Sequence, residues 1–483
     1  MSRRTLLILL LILGLAAFFR AYDLPNTPPG LYPDEAMNGN NALEALQTGQ
    51  LKVYYPENNG REGLFINIQA AFLDFFNTNE PWVLRLPSAI FGTLTVLGIF
   101  FLAKELFFIH IGLFSSFLLA TSVWHIIFSR IGFRAILAPF FLVWAVFFLL
   151  RAFHGNKATR YSLLAICSGA LFGAGMYTYI AYRITPILIL ALILWFWWLD
   201  KENRKQVLLA TYYMLLTTLL VALPLGLHYL QNPADFLGRT TQVSIFSSAT
   251  PLQDFGVNIL KTAGMFNFKG DGNSRHNYAG EPQLFWPVGI FFMVGIITGL
   301  IHLLKNPREN FSFAFLFFWL ILTALPVVIS NEGIPHALRA ILMIPPVIIL
   351  AAVGGIAAYN AVARYAPRLF LQSLATMVLI VLIAQSYFVY FELWGKSSDV
   401  LGAFMADYVS IGRAINKLPQ ETPKYVVVEA GGVDVRGIPM PAQTVMFITD
   451  SFTPEKQKEK NIHYLLPADR ATIPANAKTF TIQ

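Results

Sequence analysis

Asp34 and Glu35 are adjacent carboxylates in Pro28-Pro29-Gly30-Leu31-Tyr32-Pro33-Asp34-Glu35-Ala36, the polar stretch after the first hydrophobic segment of the chain. A carboxylate at such a boundary can take the proton of an attacking hydroxyl. The same spacing suits a helix start: Asp34 would cap a helix from Glu35 to about Leu46, with Gly49 just past its end. The two readings are compatible, because a cap can also point a carboxylate into a cavity. A second cluster is Tyr54-Tyr55-Pro56-Glu57-Asn58-Asn59-Gly60-Arg61-Glu62-Gly63-Leu64. Its Arg61 can fork onto a phosphate, or it can anchor a solvated turn at the membrane interface. Arg275 and His276 lie in the glycine-rich loop Lys269-Gly270-Asp271-Gly272-Asn273-Ser274-Arg275-His276-Asn277. Backbone N–H groups of such a loop can cradle a phosphate, and an ordinary polar loop has the same composition. Arg239, Gln242 and Ser244 precede it. His336 and Arg339 stand three apart at the start of an apolar segment, where an arginine facing lipid would be costly.

These residues need a frame, and the composition supplies it. The chain has 483 residues, 56% hydrophobic and only 13% charged. A soluble protein carries roughly 25% charged residues, so a water-facing surface for the whole chain is excluded. Apolar segments long enough to span a bilayer fall at about 5–20, 82–103, 111–128, 135–153, 161–180, 184–199, 207–228, 285–304, 311–329, 340–360 and 368–392. The expectation is an all-α polytopic membrane protein of about eleven spans over residues 1–392. The stretch 64–76 is shorter and broken by Asn67, Gln69 and Asp74, which suits a helix lying in the interface. Residues 393–483 regain charge and proline. Helical spacing over 402–418 and short strands at Tyr425–Val428, Ile462–Leu466 and Thr479–Ile482 predict a small α/β domain.

Arg3 and Arg4, Lys104, Arg151 with Lys157 and Arg160, Lys201 with Arg204 and Lys205, Lys305 with Arg308, and Arg364 with Arg368 occupy one side by alternation. The positive-inside rule makes that side cytoplasmic, with a retained first helix, a cytoplasmic N-terminus and an extracytoplasmic C-terminus. The loops at about 21–81, 229–284 and 330–339 then fall outside, where the chemistry is expected. The net charge of +8 needs no nucleic acid to explain it, since cytoplasmic anchoring residues account for the excess. The single cysteine, Cys167, excludes an intrachain disulfide. No recognised metal-ligand spacing is present, nor any GxSxG, HExxH or Walker pattern. No metal site is assigned on spacing, and a divalent cation is kept only as an alternative cofactor.

Taken together, the span followed by Tyr32-Pro33-Asp34-Glu35-Ala36, Arg61-Glu62-Gly63-Leu64 before an interfacial helix, Arg275-His276-Asn277 before Gly280-Glu281-Pro282, and Pro335-His336-Ala337-Leu338-Arg339 resemble a known family. It is glycosyltransferase family 39, the dolichyl-phosphate-mannose–protein mannosyltransferases, within the membrane-embedded GT-C superfamily; aminoarabinose transferases are relatives. The resemblance covers about residues 1–390. It implies a polyprenyl-phosphate sugar donor and inverting transfer on the outer face of the membrane to a glycan, lipid or protein acceptor. Asp34 aligns with the family's general base, with Glu35 beside it. Some relatives have a basic residue followed by Pro-Pro-Leu that contacts the donor phosphate; this chain has Arg61-Glu62-Gly63-Leu64 there. The family's large soluble outer domain is not evident, and no Trp-Trp-Asp-Tyr-Gly motif marks an oligosaccharyltransferase catalytic subunit.

The chemistry so implied needs a base for the acceptor hydroxyl and cations for the departing phosphate, but no strict general acid. Asp34 and Glu35 are the catalytic candidates. Arg61, Arg275, His276, His336 and Arg339 are the candidates for donor phosphate binding. A flippase of lipid-linked sugars would also need anion-binding arginines. It would show charges on both sides of a central cavity, whereas here they crowd on one face.

Overall fold

The computed structural model describes residues 1–154, 158–199, 201–236, 245 and 250–483. Lys157, Arg239, Gln242, Ser244 and the side chain of Arg160 lie outside it. Among the described residues nine helices are long and apolar enough to cross a membrane: Arg3–Ala21, Pro81–Leu106, Arg134–Phe153, Ile180–Leu199, Arg204–Gln231, Trp286–Lys305, Phe311–Val328, Ile341–Val362 and Arg368–Trp394. Ile341–Val362 is the most buried of these and lies at the centre of the bundle, while Arg204–Gln231 is the least buried.

Two of the eleven expected spans are shorter than anticipated. The segment 111–128 is a helix Ile109–Ala120 followed by a separate turn-and-a-half, Val123–Phe128. The break is stabilised by Arg20, whose guanidinium donates to the carbonyls of Leu119 (3.1 Å) and Ala120 (3.3 Å) at the helix end. The segment 161–180 is helical only as Ala158–Gly175. The interfacial helix is present as Leu64–Phe76, about 20 Å long and too short to span.

Two charged layers bracket the bundle. Arg85 and Glu105 lie on one helix, about 30 Å apart by helical rise. Around Glu105 gather Arg151 (3.5 Å) and His154 (3.4 Å). Around Arg85 gather the polar loops. The helix Pro33–Thr48 starts two residues earlier than the spacing predicts: Tyr32 is the N-cap and Pro33, with its φ already helical, is the first residue. Asp34 therefore sits within the first turn rather than capping it. Glu35 reaches back to accept the Tyr32 N–H at 3.4 Å. Gly49 ends the helix in the left-handed region, as expected.

Glu35 and Arg85 form a wholly buried ion pair. Arg85 Nε and Nη2 donate to Glu35 Oε1 (3.1 Å) and Oε2 (3.0 Å). Arg85 also donates to the carbonyls of Pro28 (2.6 Å) and Gly30 (2.8 Å). Oε1 also accepts the Gly132 N–H at 2.5 Å.

The tail carries a three-stranded parallel sheet. Its central strand, Lys424–Val428, lies between Ile462–Leu465 and Lys478–Ile482. The helix expected over 402–418 is divided at Met405, which has φ 51°, into Ser398–Ala403 and Ala406–Asn416. A helix with no sequence forecast, Gln443–Thr449, is buried on every side and packs on Pro33–Thr48. Asn40 Nδ2 donates to the Gln443 side chain (2.9 Å) and carbonyl (3.1 Å), and Thr444 donates to the Leu31 carbonyl (2.9 Å). Arg436, at the tip of the hairpin Asp434–Val435/Ile438–Pro439, pairs with Glu44 (2.9 Å) and Glu57 (2.7 Å).

Two stability predictions follow from this packing. Arg85→Met strands the Glu35 charge in the interior and should cost about 3–5 kcal/mol. Glu35→Gln removes the charge and should cost less; a thermal-unfolding midpoint in detergent unchanged by Arg85→Met would refute the buried pair. Gly30 has φ +71°, and a β-carbon there would lie 2.3 Å from the Phe404 carbonyl oxygen, whereas Gly49 (φ +69°) has open space around it. Gly30→Ala should therefore lower the midpoint well beyond Gly49→Ala, which pays only the backbone cost of about 1 kcal/mol. Equal effects of the two would mean that the tail does not dock on residue 30.

Candidate functional site

Asp34 is one-third exposed, in contrast to the fully buried Glu35 next to it. Helical geometry sends the two carboxylates in different directions: Glu35 inward to Arg85, Asp34 toward the loop surface. Asp34 Oδ1 accepts from Asn58 Nδ2 at 2.8 Å, and Oδ2 lies 3.3 Å from Arg61 Nη2. Arg61 Nη1 also donates to the Asp34 carbonyl (2.9 Å) and to Asn38 Oδ1 (2.6 Å). Arg61 is delivered by a hairpin in which Tyr54-Tyr55 pairs with Arg61-Glu62. Its turn runs through Asn58, Asn59 and Gly60, all at positive φ. Gly60 is required there, since a β-carbon would fall 1.7 Å from the Tyr54 hydroxyl.

Glu62 points to the opposite side of the hairpin and is buried. It accepts from Arg134 Nε (3.0 Å), Arg183 (3.3 Å) and Tyr229 (3.3 Å). The Arg183 guanidinium lies over the rings of Phe236 (4.4 Å) and Tyr229 (5.1 Å). Arg85, Arg134 and Arg183 were not singled out by spacing. The usable signal was their position inside or at the edge of apolar segments, where an arginine must face the protein interior.

The other candidates converge from two loops. Asp271 Oδ2 lies 3.3 Å from His276 Nδ1 and 3.9 Å from His336 Nδ1, and it accepts the Ala337 N–H at 2.8 Å. Burial pushes the Asp271 carboxyl up, but His276, His336 and the Ala337 N–H outweigh it and hold the group below its ordinary range. Burial, His276 and Arg339 push the His336 imidazole down to about 3, and burial lowers His276 as well against the pull of Asp271. Both rings are therefore neutral near pH 7. Arg339 pairs with Glu332 (3.3 Å). The Arg275 guanidinium lies 4.2 Å from the centre of the Tyr32 ring and donates to Asn273 Oδ1 (3.1 Å).

Tyr32 joins the two groups. It is two residues from Asp34, and Arg275 covers its ring. An open pocket of about 720 Å³ lies here, lined by Tyr32, Asp271, Arg275 and Pro335, and by Ala403 and Met405 of the tail. A more enclosed, largely apolar cavity of about 420 Å³ lies behind the same loop, between Trp124, Phe285, Trp286 and Leu393. Gln283 lines it, buried and with neither side-chain polar atom hydrogen-bonded among the described residues. The structure thus brings Arg275, His276, His336 and Arg339 into one cluster, and Asp34 and Arg61 into another. It also groups Asp271, His276 and His336 so that they could hold a metal ion, which their separation in sequence concealed.

Residues 64–228 match the profile of the dolichyl-phosphate-mannose-protein mannosyltransferases. Asp34, Glu35 and Arg61 precede the matched stretch; Arg275, His276, His336 and Arg339 follow it. No curated protein matches by sequence. Among solved structures, the oligosaccharyltransferase of Archaeoglobus fulgidus in its apo form superposes with a TM-score of 0.61 at 14% identity, over 95% of this chain and 64% of that one. The chain thus spans just under two thirds of that enzyme's length. The same archaeal enzyme in complex with an inhibitory peptide and a dolichol-phosphate gives 0.56 at 14% identity, over 92% of this chain and 63% of that one. ArnT from Cupriavidus metallidurans bound to undecaprenyl phosphate gives 0.54 at 16% identity, over 93% of this chain and 85% of that one. The resemblance is borne out to this extent: residues 64–228 match the profile of the dolichyl-phosphate-mannose-protein mannosyltransferases, and the chain shares the fold of the archaeal oligosaccharyltransferase and ArnT structures.

Proposed function

We propose that the chain is an inverting glycosyltransferase that moves a sugar from a polyprenyl-phosphate donor to an acceptor hydroxyl at the outer face of the membrane. The observation that carries the reading is the partly exposed Asp34 carboxylate, held by Arg61 and Asn58, with Arg275 on the ring of Tyr32 two residues away. In the reaction the acceptor oxygen forms a bond to the anomeric carbon while the bond from that carbon to the phosphate oxygen breaks. The hydroxyl proton goes to Asp34, and the electron pair leaves with the polyprenyl phosphate. Inversion places base and leaving group on opposite sides of the anomeric carbon.

Asp34 is the base in this scheme. Glu35 acts as a positioning residue, because both its oxygens are taken by Arg85, Gly132 and Tyr32. Arg61 orients the Asp34 carboxylate. Arg275 and Arg339 supply the main phosphate charge compensation, with His276 and His336 lining the same end. The apolar cavity beside Gln283 suits the first isoprene units of the carrier. The carriers bound in the structures of two relatives, dolichol-phosphate and undecaprenyl phosphate, support this donor class. The alternation of Lys/Arg-rich connections also supports the outer-face location and the N-terminus-inside orientation.

Purified protein incubated with a panel of polyprenyl-phosphate sugars, with and without candidate acceptors, should release polyprenyl phosphate from one donor. Asp34→Asn should lower that turnover by about a hundredfold or more without shifting the unfolding midpoint. Near-wild-type turnover in Asp34→Asn would remove it as the base. Arg275→Ala and Arg339→Ala should raise the KM for donor; donor dependence unchanged in both would take the phosphate site elsewhere.

A further inference from the structure

The Asp271, His276 and His336 cluster has the dimensions of a coordination site. One ligand atom from each lies within 4.8 Å of the others. Zinc-type cations hold nitrogen and oxygen ligands at about 2.0–2.2 Å, which sets the edges of a tetrahedron at about 3.3–3.6 Å. The observed separations from Asp271 Oδ2, 3.3 Å to His276 Nδ1 and 3.9 Å to His336 Nδ1, bracket that edge. They are long for a charge-assisted hydrogen bond, which runs about 2.7–2.9 Å.

We propose that Asp271, His276 and His336 bind one divalent transition-metal cation of the zinc type, through the carboxylate Oδ2 and the two Nδ1 atoms. Two imidazole nitrogens and one carboxylate oxygen are a donor set such ions accept, and they leave one position of a tetrahedron open. The carboxylate is already oriented for this. Its Oδ1 accepts the Asn273 N–H (2.8 Å), and its Oδ2 accepts the Ala337 N–H on one lone pair, leaving the other for the cation. His336 Nδ1 carries its lone pair toward the Arg339 N–H at 3.4 Å, a long contact that the cation replaces. The nearby positive charges are offset: Glu332 pairs with Arg339, and Arg275 is held over Tyr32.

The ion ties the second outer loop to the third. Trp394 reinforces the same loop by donating to the carbonyls of Ser274 (2.7 Å) and Asn277 (3.1 Å). Because Asp271 lines the open pocket with Tyr32 and Arg275, the free position is accessible to an anionic oxygen there. That last role rests on the glycosyltransferase reading; the binding of the ion does not.

The test is a titration of tag-free full-length protein in detergent, stripped with chelator, using Co²⁺ alone. One equivalent should produce the visible absorption of four-coordinate Co²⁺, and one equivalent of Zn²⁺ should abolish it. Asp271→Asn and His336→Gln should each weaken Co²⁺ binding at least tenfold. No stoichiometric absorption in the wild-type protein, or undiminished binding in both variants, overturns the site and leaves a hydrogen-bonded aspartate–histidine cluster. No donor is present in the titration, so its failure is distinguishable from a failure of glycosyl transfer.

Discussion

The buried pair of Glu35 and Arg85 is the interaction on which the loop-bearing half of the molecule depends. Each ion costs several kcal/mol to bring out of water, and that cost is offset only when geometry and hydrogen bonding are complete. Here they are close to complete. Arg85 gives two bonds to Glu35 and one each to the carbonyls of Pro28 and Gly30, and Glu35 takes the N–H groups of Gly132 and Tyr32 besides. A single residue on a membrane helix thereby fixes the chain leading into the helix Pro33–Thr48, the first turn of that helix, and the loop at Gly132. Asp34 is covalently next to Glu35, so its direction is set by a pair in which it takes no part.

The same logic divides the acidic residues of the first long loop. Glu35 and Glu62 are buried against arginines from membrane helices or their ends, and Glu44 and Glu57 bind Arg436 of the tail. Each therefore joins elements distant in sequence. Asp34 also has a cationic partner, Arg61, but keeps a third of its side chain open. Exposure, more than charge, separates the residue suited to exchange a proton from those suited to hold the scaffold. Glu62 is paired with Arg134 and Arg183, which brace the hairpin that presents Arg61.

Much of this frame was legible in the sequence because hydrophobicity and helix signals are local. The long spans, the interfacial helix at 64–76, Gly49 at a helix end and the three tail strands all follow from residues within a turn or two of each other. What escaped was decided by distant partners. The interruption after Ala120 depends on Arg20, about a hundred residues away. Asp34 is not the cap because Pro33 begins the helix and Glu35 takes the Tyr32 N–H. Asp271 and His276 share a loop, but His336 arrives from another, so no spacing rule could show three ligand atoms together. The helix Gln443–Thr449 was illegible for a related reason. Its polar residues are buried against the partners that satisfy them, so it has no amphipathic pattern to read.

The tail bears on the site through the same long-range packing. Composition changes near residue 393, where the chain leaves its last span, and that change invites a reading as a separate domain. The packing runs across it. Met37 of the helix Pro33–Thr48 sits in one apolar core with Val426, Val428 and Ile462 of the tail sheet. Val409, Phe447 and Ile448 of the tail sit in another with Leu31, Ala36 and Leu84. The residues flanking Asp34 are thus clamped from below by Arg85 and from above by the tail. Ala403 and Met405 then form part of the wall of the pocket that Tyr32 and Arg275 line. A segment that both anchors the Asp34 helix and borders the pocket is coupled to the first long loop by position. Any acceptor entering that pocket therefore meets the tail and the Asp34 loop as one surface.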